Sequence, residues 1–157
     1  MKYAGMPAGM WLLFSGSFRN QLRAVLKYDA RTAGEITAKA KKKYREIIAS
    51  VPEFEKGDRF KMNLVNCAML SAFLLSMPEK TTVEQTTVFY RDSMMTGPMK
   101  LFCRMSGKKK FSDADADGMK KAAALNPADR NPYSWNMDYL PYADGSGYEA
   151  RFTTCGI

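Results

Sequence analysis

Between residues 11 and 28, Leu12, Phe18, Leu22, Val25 and Leu26 fall on one side, with arginines between them. That is the spacing of an amphipathic helix. Residues 32–50 repeat the pattern more strongly. Ile36, Ala40, Tyr44, Ile47, Ile48 and Val51 make an apolar stripe, and lysines fill the opposite face. This second helix should end near Val51-Pro52, because proline disfavours helical backbone in the residue before it. Gly57-Asp58 supplies a break and an N-cap for a third helix running to Met77. Within it, MNLVNCAMLSAFLLSM (62–77) is apolar nearly all round, which predicts a central position. Pro78 marks its end.

Thr81-Thr82-Val83-Glu84 reads as a Thr-x-x-Glu capping box, opening a helix over about 82–95. Gly97-Pro98 interrupts it, and a further helical piece spans Met99 to Met105. A short helix around 116–125 precedes the Asn-Pro pairs at 126–127 and 131–132. The period then changes. SWNMDYLPY (134–142) and YEARFTT (148–154) are aromatic and alternating, and Ala143-Asp144-Gly145-Ser146-Gly147 between them is turn chemistry. The pattern predicts an α+β fold: a helical N-terminal layer of about five helices, then a C-terminal antiparallel hairpin. A lone hairpin is marginal in water, so it should pack on the helices or pair with a second copy. A homo-oligomer through the C-terminal strands is therefore an expectation. The length of 157 residues predicts one domain over 1–157.

Composition narrows the chemistry. There is no histidine, so the chain cannot build a histidine triad or a histidine-containing zinc site. The three cysteines, Cys67, Cys103 and Cys155, are odd in number and form no Cys-x-x-Cys pair. They read as reduced thiols. The apolar patch Met10 to Phe14 is too short for a signal peptide, so the first residues read as mature sequence and the cytoplasm is the expected location. The longest apolar run falls short of the roughly 18–20 residues that span a bilayer, so no membrane partner is expected. Lys and Arg outnumber Asp and Glu by 24 to 16, a net charge of +8. The excess gathers at Lys39 to Arg45 and at Lys108 to Lys110. A nucleic-acid footprint is one reading, and a steep salt dependence of DNA or RNA binding would reveal it. The solvated face of an amphipathic helix explains the first run better, and the second lacks interleaved aromatics.

Asp113, Asp115, Asp117 and Gly118 match the opening of an EF-hand loop, but the twelfth position is Ala124 instead of glutamate. An acidic helix start favoured by the macrodipole accounts for them, and no metal or cofactor is expected. Asn63 and Asn66 lie in the most apolar helix, where a buried amide either bonds structurally or points into a pocket. The 12 methionines read as core filling. Cys67 and Cys103 fall in apolar helices and read as inert. Cys155 stands at a strand end before a glycine, where a nucleophile can be presented. Arg151 lies four residues back on the same strand face, able to activate it. A packed strand cysteine is the alternative reading.

GYEARFTTCGI (147–157), preceded by Tyr133-x-Trp135, closely resembles the L-2-amino-thiazoline-4-carboxylic acid hydrolase family. The Lys41-x-x-Tyr44-x-x-Ile47 run and the Asn63-Leu64 helix start resemble it too, so the likeness runs from about residue 35 onward. Family members continue past the Cys-Gly-Ile motif. The resemblance therefore implies an incomplete member of a longer fold. It also implies a small-molecule substrate, a cyclic amidine such as a thiazoline carboxylate, opened hydrolytically at the ring C–N bond. The site must polarise the ring nitrogen and stabilise a tetrahedral intermediate. Under this resemblance Cys155 is the catalytic nucleophile, and Arg151, Asn63, Trp135 and Tyr148 bind substrate. Arg151 would lower the thiol pKa or hold the carboxylate. No general base is identifiable, so the chain by itself is expected to be inactive. A non-catalytic small-molecule-binding or regulatory module on the same fold is the alternative.

Overall fold

In the computed structural model, which describes residues 5–51, 60–107, 112–125 and 136–154, six helices precede a two-stranded antiparallel sheet. The helices are α1 (Met6–Ala24), α2 (Ala30–Ser50), α3 (Phe60–Leu74), α4 (Val83–Met94), α5 (Gly97–Ser106) and α6 (Asp113–Leu125). The strands are β1 (Asn136–Pro141) and β2 (Tyr148–Thr154). This is the α+β arrangement that the pattern predicts. Two compact units divide the chain, residues 1–53 with 62–108 and residues 54–61 with 109–157. No helix among the described residues is long and apolar enough to cross a membrane.

In the first unit α1 packs against α2 and α4. α1 begins at Met6, earlier than the periodicity suggests, with Pro7 in its first turn. Proline is tolerated there because the first N–H groups of a helix have no intrahelical acceptor. Phe14, Phe18 and Leu22 are the buried stripe. Leu12, expected on that stripe, is 82% exposed instead. It sits about 100° around the helix from Trp11, and Trp11, three residues before Phe14, continues the inward line. Val25 and Leu26 fall beyond the helix, because the chain turns there. Lys27 takes a left-handed φ of 62°, and the Tyr28 N–H reaches back to the Leu22 carbonyl at 3.1 Å. Lys27 thus holds a left-handed conformation that glycine usually supplies.

Asp29 caps α2. Its Oδ1 accepts from the N–H groups of Arg31 and Thr32 at 2.8 and 2.9 Å, and its Oδ2 from the Thr32 hydroxyl at 2.8 Å. Those bonds hold its carboxyl below the usual carboxylate range. Ala33, Ile36, Ala40, Tyr44 and Ile48 are buried, so the predicted stripe holds, with Ile47 and Val51 half-buried at its margin. At α4 the capping box is one residue later than expected. Thr82, not Thr81, is the cap, and Gln85, not Glu84, closes the box. The Thr81 hydroxyl is engaged with that of Thr86 at 2.7 Å.

α3 buries Val65, Ala68, Met69, Ala72 and Phe73. This is one stripe at i, i+3, i+4, i+7 and i+8. Met62 is 55% exposed, so the helix packs along one side and is not enclosed all round. α5 corrects another expectation. It buries none of its residues, and Cys103 is exposed. Leu101, Phe102 and Met105 make an apolar face open to solvent.

In the second unit α6 lies against β1, and Ala122 and Met137 are buried. The aspartate-rich stretch is continuous helix. The Ser112 N–H and hydroxyl both donate to Asp115 Oδ2, at 2.9 and 2.7 Å. No group of three His, Cys, Asp or Glu side chains among the described residues could hold a metal ion. The strands pair with Asp138 opposite Arg151 and Pro141 opposite Tyr148. Gly145 turns the hairpin at φ 72°, and Asp144 Oδ1 accepts from the Ser146 N–H and hydroxyl.

Candidate ligand groove

A line of aromatic rings runs from α4 to the outer edge of α1 and α2. Phe89 meets Phe18 edge to face at 5.4 Å. Phe18 stacks on Phe73 at 4.7 Å. Phe73 lies nearly parallel to Trp11 at 5.7 Å, and Trp11 is 5.5 Å from the Tyr44 ring. Each such pair adds about 0.5–1.5 kcal/mol beyond area burial. The inner rings are sealed, since Phe18, Phe73 and Phe89 have no exposed surface. The outer end is open. Trp11 and Tyr44 line a groove of about 860 Å³ between α1 and α2, and Leu12 and Ile48 extend its apolar wall.

Among the described residues, the polar side chains lining this groove are Lys41, Tyr44 and Arg45. The Tyr44 hydroxyl is already committed, donating to the Pro7 carbonyl at 3.1 Å. Burial pushes its phenol above its ordinary range. Lys41 and Arg45 are four residues apart on α2, hence neighbours on one helix face. Neither has a carboxylate partner among the described residues. Two other cations of α2 differ, with Arg31 paired to Glu35 at 3.1 Å and Lys43 to Glu46 at 3.2 Å. A second groove, of about 490 Å³, lies on the lysine-rich side of α2. It is lined by Lys39, Lys42 and Lys43, but also by Glu35 and Glu46, so its charge is locally balanced.

The residues singled out from sequence are spread over both units. Cys155 and Trp135 lie outside the described residues, as do Gly57 and Asp58. Arg151 is exposed on β2, and its Nε and Nη2 donate to Glu149 Oε1 at 3.2 Å each. Tyr148 is half-buried and stacks on Tyr139 at 4.9 Å. Side chains alternate along a strand, so Tyr148 and Arg151, three residues apart, point to opposite faces of β2. Asn63 is half-buried on α3 in the first unit. Its neighbour Asn66 keeps Oδ1 buried without a hydrogen-bond partner, as does the Ser93 hydroxyl on α4.

Sequence reasoning placed Tyr44 on the core stripe and Lys41 on the solvated face. It missed that Lys41, Tyr44 and Arg45 straddle the boundary between the two, where an open groove must lie if no neighbour covers it. The signal was present as a tryptophan, Trp11, one position from the leucine expected to face inward. No protein-family model, curated protein or solved structure matches this chain.

Proposed function

We propose that this chain is a binding module whose first unit holds a small, largely apolar molecule in the groove between α1 and α2. One observation carries the reading: the aromatic line that is sealed at Phe18, Phe73 and Phe89 opens at Trp11 and Tyr44 into a concave surface of small-molecule size. Leu12 stands beside it, 82% exposed. Ligand contact with Trp11, Leu12 and Ile48 would cover that apolar surface and gain roughly 25 cal/mol per Å² removed from water.

The test uses N-phenyl-1-naphthylamine, a neutral probe that brightens in apolar surroundings. The chain carries Trp135→Phe, so that Trp11 is its one tryptophan. Saturable brightening with one-to-one stoichiometry, and quenching of Trp11 over the same range, support the reading. Leu12→Gln changes an exposed side chain and should weaken the probe severalfold while leaving the far-ultraviolet circular dichroism unchanged. Binding that ignores Leu12→Gln would end it.

The hydrolytic reading is the second proposal, and its support is the resemblance of residues 147–157. Arg151 is exposed on the strand that leads to Cys155, where a substrate carboxylate can reach it by displacing Glu149. Turnover of an aminothiazoline carboxylate that disappears in Cys155→Ala would establish this chemistry. Ligand binding that survives Cys155→Ala, with no turnover in either protein, favours the binding module alone.

A further inference from the structure

Resting on the groove reading above, we infer that the ligand is an amphiphilic monoanion, an apolar chain or ring bearing one carboxylate or sulfonate, with the acid between Lys41 and Arg45 and the apolar body on Trp11, Leu12 and Ile48. The inference comes from what the groove offers a polar group. Tyr44 spends its hydroxyl proton on Pro7. Among the described residues, no serine, threonine, asparagine, glutamine or carboxylate lines the groove. Its remaining described polar side chains are two cations, which only an acceptor can satisfy. A neutral acceptor satisfies them less well than an anion, whose hydrogen bonds to ammonium and guanidinium are charge-assisted.

Charge points the same way. Lys41 and Arg45 have no acidic partner among the described residues, whereas Arg31 and Lys43 on the same helix do. The second groove, rich in lysine, carries its own glutamates and lacks this unopposed positive potential. Gly5, the N-cap of α1, lines the same groove, so the positive end of the α1 dipole lies at its edge. A guanidinium four residues from an ammonium suits a planar acid, with Arg45 taking two oxygens and Lys41 adding a point charge. The volume, about 860 Å³, falls within the range of small-molecule sites.

The experiment sets decanoate against decanol, below their aggregation limits, as displacers of N-phenyl-1-naphthylamine from the full chain carrying Trp135→Phe. The expected result is that decanoate binds about three- to tenfold tighter than decanol, as two solvent-exposed charge contacts allow. The preference should shrink as salt rises and vanish in the Lys41→Gln, Arg45→Gln double variant. Equal displacement by both compounds overturns the inference but leaves the groove reading standing. Displacement by neither overturns both. A decanoate preference that persists in the double variant overturns the assignment to Lys41 and Arg45. Concentration-dependent dimerisation in sedimentation, abolished by Leu12→Gln, would make a second copy the occupant and overturn it as well.

Discussion

The Tyr44 hydroxyl donates to the Pro7 carbonyl oxygen across 3.1 Å, tying the middle of α2 to the first turn of α1. Tyr44→Phe keeps the ring beside Trp11 and removes this bond. The expected cost is about 0.5–1.5 kcal/mol in urea unfolding. An unchanged midpoint would show that the bond contributes nothing net.

The same residue sets an alkaline limit. Burial raises the Tyr44 phenol above its ordinary value of 10.0, and Tyr28 and Tyr90 are raised as well, burial leading in each case. A group whose folded pKa is raised contributes its full stability below the unfolded value, and that contribution is lost as pH rises above it. Urea midpoints measured from pH 8 to 11 should therefore fall above about pH 10. Tyr44→Phe should flatten the fall without abolishing it, because Tyr28 and Tyr90 remain.

Phe18 touches Phe73, Phe89 and Tyr90 and has no exposed surface. Phe18→Ala should destabilise by about 3–5 kcal/mol, the usual cost of a large cavity. Phe18→Leu should cost distinctly less. Chemical denaturation of the two variants provides the comparison, and equal costs would mean that ring stacking, not volume, dominates.

Ser93 is fully buried with its hydroxyl unpaired. Ser93→Ala removes a desolvated polar group at little loss of volume. It should raise stability by about 1 kcal/mol, readable as a higher melting temperature. A loss of stability would reveal a hydrogen bond in solution.

α5 predicts the reverse of a core helix. Leu101 and Phe102 are 60% and 63% exposed, so the double substitution to serine should shift stability by no more than about 1 kcal/mol. Labelling of Cys103 by a thiol reagent in the native Cys67→Ala, Cys155→Ala chain should be as fast as in denaturant. Protection of Cys103 would show that something covers α5 in solution.

Within single elements the sequence was a dependable guide. The α2 stripe at Ile36, Ala40, Tyr44 and Ile48, the acidic start of α6 and the turn at Gly145 were legible because each depends on neighbours three or four residues away, or fewer. The cap of α4 was misplaced by one residue because adjacent threonines offer the same local chemistry, and only the bond actually made, Gln85 N–H to Thr82 Oγ1 at 3.2 Å, separates them.

The order of helices, the closing hairpin, the lack of histidine and the excess of cations were determined by the sequence by itself, since periodicity and composition need no knowledge of what lies alongside. Which stripes are covered was decided only in three dimensions. Leu12 and the apolar side of α5 look buried by spacing and are open. Tyr44 looks like core and, with Trp11, forms the wall of a groove. The reason is physical: a helix repeats every 3.6 residues whatever surrounds it, but burial exists only where another element arrives to exclude water.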